Sequence, residues 1–102
     1  MSEVLKNCIK KCQKCEDMCK KMTTMKKCLK VCNDCEILCN LVDMCFNKIN
    51  DKSLKKGLYK LMIKGCEKCI KECKKYDHKE CIECVKACEE CIKMCTKECD
   101  KM

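Results

Sequence analysis

Cysteine recurs every three or four residues through most of this chain, and that spacing constrains the fold more than any other feature. Cys8, Cys12, Cys15 and Cys19 form one block; Cys28, Cys32, Cys35 and Cys39 repeat its steps 20 positions later, with Cys45 beyond. Cys66, Cys69 and Cys73 make a third block, and Cys81, Cys84, Cys88, Cys91, Cys95 and Cys99 a fourth. Steps alternating between three and four return to one face of an α-helix, so each block predicts a helix with a thiol stripe facing inward. A helix over about 3–22 carries Leu5, the first block and Met22. A second, over about 25–49, carries Met25, the second block, Val42, Phe46 and Ile49. A third begins with Leu54, Leu58, Leu61 and Met62 before turning to cysteine, and a fourth comes after residue 77. Gly65, inside the third, permits close packing beside the sulfurs.

The breaks between these stripes are short. Thr23 and Thr24 form the first, with either threonine a candidate cap for the second helix. Residues 50–53 form the second. The third is 75–77, where Asp77 and Glu80 have the spacing of a capping box. Short connections between helices of about 20 residues force antiparallel neighbours. The expected fold is therefore all-α: an antiparallel up-down-up-down four-helix bundle with a cysteine-lined core, one domain over 1–102. Met18, Met22, Met25, Tyr76 and His78 gather at one end. Leu5, Phe46, Ile49, Leu54 and Leu58 plug the other. Met62 is expected to pack at the floor of the thiol ladder, and Met18, Met44 and Met94 to fill between helices.

Composition excludes several functions. Aromatic residues are 3% of the chain, so no ordinary hydrocarbon core is available and the small thiols must fill the interior. The net charge is +8, yet all 24 basic residues are lysine; without arginine and with almost no aromatic residue to stack on bases, a basic nucleic-acid-associated protein is a poor reading and a solvated lysine coat a better one. No secretory leader and no apolar run of about 20 residues is visible, which predicts a cytoplasmic protein with reduced thiols and no membrane segment. A disulfide-stabilised helical scaffold is the competing reading of an even cysteine count, but such scaffolds are loop-rich, and this chain has no proline and two glycines. The one histidine and the scattered acids Glu36, Glu67 and Glu83 give no nucleophile–base set, so no enzyme is expected.

The stripes are more regular than packing alone demands, and thiolates are ligands for soft metals. Pairs one helical turn apart, such as Cys8/Cys12, Cys15/Cys19, Cys28/Cys32, Cys69/Cys73 and Cys91/Cys95, are candidates to bridge univalent Cu(I), with sulfurs about 4.3–4.5 Å apart. About one Cu(I) per thiolate leaves a nearly neutral interior, whereas four-thiolate zinc sites each keep an excess of two negative charges in a dry core. Metallothionein-like Zn or Cd storage stays as the alternative. The ferredoxin cysteine run is absent, which argues against an iron–sulfur cluster. Cys45 falls beside the stripe position of Phe46 and is a candidate peripheral ligand. Met22, Met25 and His78 have the soft thioether and imidazole donors suited to passing copper inward.

With its four cysteine stripes the chain resembles, along its full length, the copper storage proteins, small cysteine-rich four-helix bundles. The resemblance implies storage of multiple Cu(I) ions on the core cysteines, buffering or detoxifying cytosolic copper. It also implies exchange with cytosolic copper carriers or thiol buffers, entry past His78, Met22 and Met25, and association as a homo-oligomer such as a tetramer. The cysteine-free start of the third helix departs from a uniformly lined tube.

Overall fold

A computed structural model describes residues 2–102, with side chains from Glu3 onward. Four helices, α1 (Ser2–Cys19), α2 (Lys26–Cys45), α3 (Lys52–Cys73) and α4 (Lys79–Asp100), run antiparallel in sequence order. Each packs on the next and α4 closes against α1, giving a rod of 42 × 20 × 19 Å. The expected bundle is the one that forms.

Its helix ends differ from expectation. A single 3-10 turn, Thr23–Met25, leads into α2, whose first flanking residue is Met25; neither threonine caps it. The short turn tightens the corner and draws Met25 inward, so packing rather than a hydroxyl fixes the start. At α4 the flanking residue is His78, extended and without a side-chain cap bond, so the Asp77/Glu80 capping box does not form. Asp51 is the one side-chain cap among the described helix starts, accepting a hydrogen bond from the Leu54 N–H at 3.0 Å.

Seventeen of the 18 cysteines are buried, and Cys45 is half-buried. All 18 are free thiols, so no S–S staple holds the bundle. The closed end is built by Leu5, Val42, Tyr59 and Met62, with Phe46 and Leu58 packed against them. Here the expected α3 stripe was one position out of phase. Leu54 and Leu61 are 62% and 48% exposed, while Tyr59, three residues before Met62, is buried. The inward face reads Tyr59, Met62, Cys66, Cys69, Cys73, a continuous alternation of three and four; the leucines ride beside it. Met44 also faces out rather than filling, whereas Met18 and Met94 pack against the core.

Gly65 serves the α2–α3 contact rather than the sulfurs. A Cβ placed there would lie 2.5 Å from Leu38 Cδ1. Polar contacts stitch the other seams: Lys11 of α1 to Glu83 of α4 at 2.7 Å, and the Gln13 amide to Glu36 of α2 at 2.9 Å.

Candidate metal centre

The thiols meet mainly between helices. From the open end, Cys15 Sγ lies 3.8 Å from Cys81, 3.9 Å from Cys28 and 4.0 Å from Cys73. Cys28 and Cys32 each lie 3.7 Å from Cys73. One turn deeper, Cys69 is 3.6 Å from both Cys32 and Cys84, and Cys84 is 3.8 Å from Cys12. Deeper again, Cys35 is 3.7 Å from Cys66 and 3.8 Å from Cys88, which is 3.9 Å from Cys8. Near the closed end Cys91 Sγ meets Met62 Sδ at 3.9 Å. Met62 packs against the lower ladder, and the buried Cys95 and Cys99 continue past it along α4.

One-turn pairs within a helix also close up: Cys28/Cys32, Cys69/Cys73 and Cys84/Cys88 each fall in a group whose sulfurs all lie within 4.8 Å of one another, with Cys69/Cys73 at 3.9 Å. The shortest contacts run between helices, because stripes on facing helices converge on the shared axis.

Four groups of four thiols bring all their sulfurs within 4.8 Å of one another: Cys8/Cys35/Cys66/Cys88, Cys12/Cys69/Cys84/Cys88, Cys15/Cys28/Cys32/Cys73 and Cys32/Cys69/Cys73/Cys84. A three-thiol group, Cys8/Cys39/Cys91, lies nearer the closed end. Neighbouring groups share members, Cys88 and Cys8 among them, so the groups form a connected ladder rather than isolated sites. Cys19, Cys45, Cys81, Cys95 and Cys99 fall outside them. Cys81 still reaches the ladder through Cys15. Cys45 lines a small surface cavity with Phe46, Lys55 and Leu58, away from the groups.

At the open end Met25 is 1% exposed and Met22 38% exposed, so one thioether faces the core and the other solvent. His78 is half-buried at the start of α4. Tyr76 closes the corner by donating its hydroxyl to the buried Glu72 at 3.2 Å. Lys75 also donates to Glu72, at 3.0 Å, and this bond foremost holds the Glu72 carboxyl below its ordinary range.

Burial governs the protons of the outer thiols. It pushes Cys19 up to about 12 and Cys81 up to about 11. Inside the ladder the thiols divide: Cys84 is pulled down, chiefly by its contact with Cys12, while Cys32 is pushed up, chiefly by Cys15. Thiolate character is thus favoured at some positions only while neighbours keep their protons. A metal replaces those protons with cations and releases them.

Sequence reading missed Glu16. Its side chain is 7% exposed on α1, its Oε2 has no hydrogen-bond partner, and burial, then the neighbouring Glu36, pushes its carboxyl up to about 8. Folded pKa values above the unfolded ones mean stability is fully present below the unfolded value and lost as pH rises toward the folded one. The metal-free, reduced protein is therefore expected to lose thermal stability in two windows. The first runs from about pH 4.5 to 8, from Glu16; the second from about pH 9 to 12, from Cys19 and Cys81. Thermal melts across pH check this, and Glu16→Gln is expected to flatten the first window only. A melt temperature constant from pH 5 to 8 in the unsubstituted protein rules out the Glu16 assignment.

A helical bundle whose lumen is a connected column of free thiols defines a thiolate metal-storage protein, with many ligands and no single dedicated site. The model of the copper storage protein family matches residues 1–100, and the chain belongs to that family. Two solved structures have the same fold. The apo form of copper storage protein 3 from Bacillus subtilis is 27% identical, with 96% of this chain and 94% of that chain covered and a TM-score of 0.86. The Cu(I)-bound form of the same protein gives 27% identity, 96% and 93% coverage and a TM-score of 0.87. No curated protein matches. No helix among the described residues is long and apolar enough to cross a membrane.

Proposed function

We propose that this chain takes up, holds and returns Cu(I) as a cytoplasmic store, binding multiple ions per chain and catalysing no reaction. The sharing of thiols between successive groups carries the reading, because bridging thiolates suit a chain of univalent ions. Three-coordinate Cu(I) with bonds of about 2.25 Å spaces its sulfurs about 3.9 Å apart, and the ladder contacts span 3.6–4.0 Å. The Cu(I)-bound relative supports the choice of metal. The 17 buried cysteines are the ligands in this reading, with Cys45 an outlying one that fills last.

Zinc or cadmium is the second reading, and one observation favours it. Tetrahedral Zn–thiolate bonds of about 2.3 Å need sulfurs about 3.8 Å apart, and four groups have the required number of thiols. Shared members would let Zn or Cd form thiolate-bridged clusters; against them, divalent ions on four thiolates each leave excess negative charge in a dry interior. Metal content and oxidation state of protein purified anaerobically from its native cell decide between them. Mainly Cu(I) is expected; mainly zinc at no more than one ion per four thiols would displace the copper reading.

The open end is the loading gate. Met25 receives Cu(I) from Met22 and His78 and passes it to Cys19, Cys28 and Cys81. Replacing Met22, Met25 and His78 together by alanine is expected to slow anaerobic Cu(I) uptake about tenfold and leave final capacity unchanged. Stopped-flow uptake followed by metal analysis reads both quantities. Lower capacity with an unchanged rate would make the three residues storage ligands instead.

Copies of the chain associate through the α2–α3 face. Ile37, Leu41 and Leu61 are exposed there around a shallow cavity floored by Leu38 and Gly65, the kind of apolar patch that marks self-association. Leu41→Lys is expected to yield monomers in sedimentation experiments under conditions where the unsubstituted chain is oligomeric. A monomeric unsubstituted chain removes this assignment.

A further inference from the structure

A lysine-rich cleft lies on the outside of the wall that holds the entrance thiols. Lys27 and Lys30 of α2, Lys68 and Lys71 of α3, and Lys75 just beyond α3 line a cavity of about 470 Å³. Its acidic lining is Asp34 and the buried Glu72. Glu72 is already paired, with Lys75 at 3.0 Å and Lys27 at 3.8 Å. Lys30, Lys68 and Lys71 are exposed and make no ion pair among the described residues; Asp34 is the one acid left to oppose them. Three ammonium groups therefore converge on one cleft with their charge largely uncancelled. The same turns of α2 and α3 carry, on their inner side, Cys28, Cys32, Cys69 and Cys73, linked by contacts of 3.6–3.9 Å.

We infer that this cleft docks the copper donor, a Cu(I) complex of a small thiol bearing carboxylates. The inference rests on the copper-storage reading. Such a complex suits the site by charge: a bis-thiolate Cu(I) unit carries one negative charge, and each free carboxylate adds another. Ammonium groups are strongly hydrated point charges, suited to holding a flexible anion without fixing its geometry. Transfer is a ligand exchange with no change of oxidation state. A Cu–S bond to the donor breaks as copper enters through the open end and, once inside, forms a Cu–S bond to a core cysteine, whose proton passes to the departing thiolate. Copper remains univalent throughout. Electrostatic accumulation of an anion in a charged cleft raises encounter rates by about 10–1000-fold, so the effect belongs in the rate of uptake rather than in capacity.

The test follows anaerobic Cu(I) uptake by the full chain from two donors: Cu(I)–mercaptosuccinate, which is multiply anionic, and Cu(I)–dithiothreitol, which has no carboxylate. Lys30→Gln/Lys68→Gln/Lys71→Gln is compared with Lys6→Gln/Lys10→Gln/Lys93→Gln, an equal charge change on exposed positions of α1 and α4. The cleft variant is expected to load about tenfold more slowly from mercaptosuccinate, at an unchanged rate from dithiothreitol, and to the same final capacity. The α1/α4 variant is expected to behave as the unsubstituted chain with both donors. Equal slowing by both variants, or slowing with dithiothreitol as well, overturns the inference in favour of a general charge effect. No slowing by the cleft variant overturns it outright. Failure of the unsubstituted chain to take up Cu(I) from dithiothreitol would instead sink the storage reading on which it rests.

Discussion

Removing Cys69 and Cys88 together is expected to cost more Cu(I) than the number of thiols removed. Each belongs to two four-thiol groups, and between them they touch three of the four. The pair Cys69→Ala/Cys88→Ala leaves only Cys15/Cys28/Cys32/Cys73 complete, with a gap in the middle of the column. Ions bridged by the lost sulfurs lose a ligand, and the isolated remnants carry uncompensated charge once metallated. Cys45→Ala/Cys99→Ala removes the same number of thiols from positions outside every group, and at most those two outlying ligands are lost. Anaerobic titration with a chromophoric Cu(I) chelator compares the two variants. The fold should survive both. Each change deletes a single sulfur, a loss of about 1 kcal/mol if weighed like a buried methylene. Equal capacity in the two double variants would mean that each thiol binds independently and that no ladder exists.

Metal loading is expected to shift the thermal midpoint by about 20 °C or more relative to the reduced apoprotein. The interior that holds this bundle together is composed mostly of small thiols, with Leu5, Val42, Tyr59 and Met62 at one end supplying most of the buried hydrocarbon and aromatic surface. Each site that binds only the folded chain adds about 4 kcal/mol at a thousandfold excess of metal over its dissociation constant. In a domain of this size about 1 kcal/mol moves the midpoint by 4–8 °C. One such site suffices for the stated shift, and several connected sites exceed it. Differential scanning calorimetry under nitrogen gives the comparison. A shift below about 5 °C would place the ions at the surface rather than between the helices.

Much of this was legible before any coordinates, because a thiol stripe obeys the same 3.6-residue period as a leucine stripe. Helix count, topology and the inward direction of 17 cysteines follow from spacing alone. The partners of each sulfur do not. Cys32 meets Cys69 and Cys73 through the relative height of α2 and α3, which spacing within a helix leaves undetermined. The phase of early α3 was readable in principle: tracing the alternation backwards from Cys66 reaches Met62 and then Tyr59, whereas the leucine content of the segment drew attention to Leu54 and Leu61. The helix starts misled because an acid or hydroxyl at the right spacing caps only if the chain enters at the right angle, and Met25 packing set that angle at α2. Glu16 lies beside the core residue Cys15 in sequence and resembles any other surface acid until α2 closes over it. The lysine cleft is equally hidden, since Lys30 and Lys71 become neighbours only when α2 and α3 pack.

The measurement that bears most directly on copper storage is an anaerobic titration of the fully reduced protein with Cu(I), read as ions bound per chain before free metal appears. A connected ladder should saturate well above four ions per chain, because thiols shared between groups each contribute to more than one ion. Saturation at four or fewer, no more than one ion per four-thiol group, would mean Zn-like tetrahedral sites and no continuous copper-filled lumen.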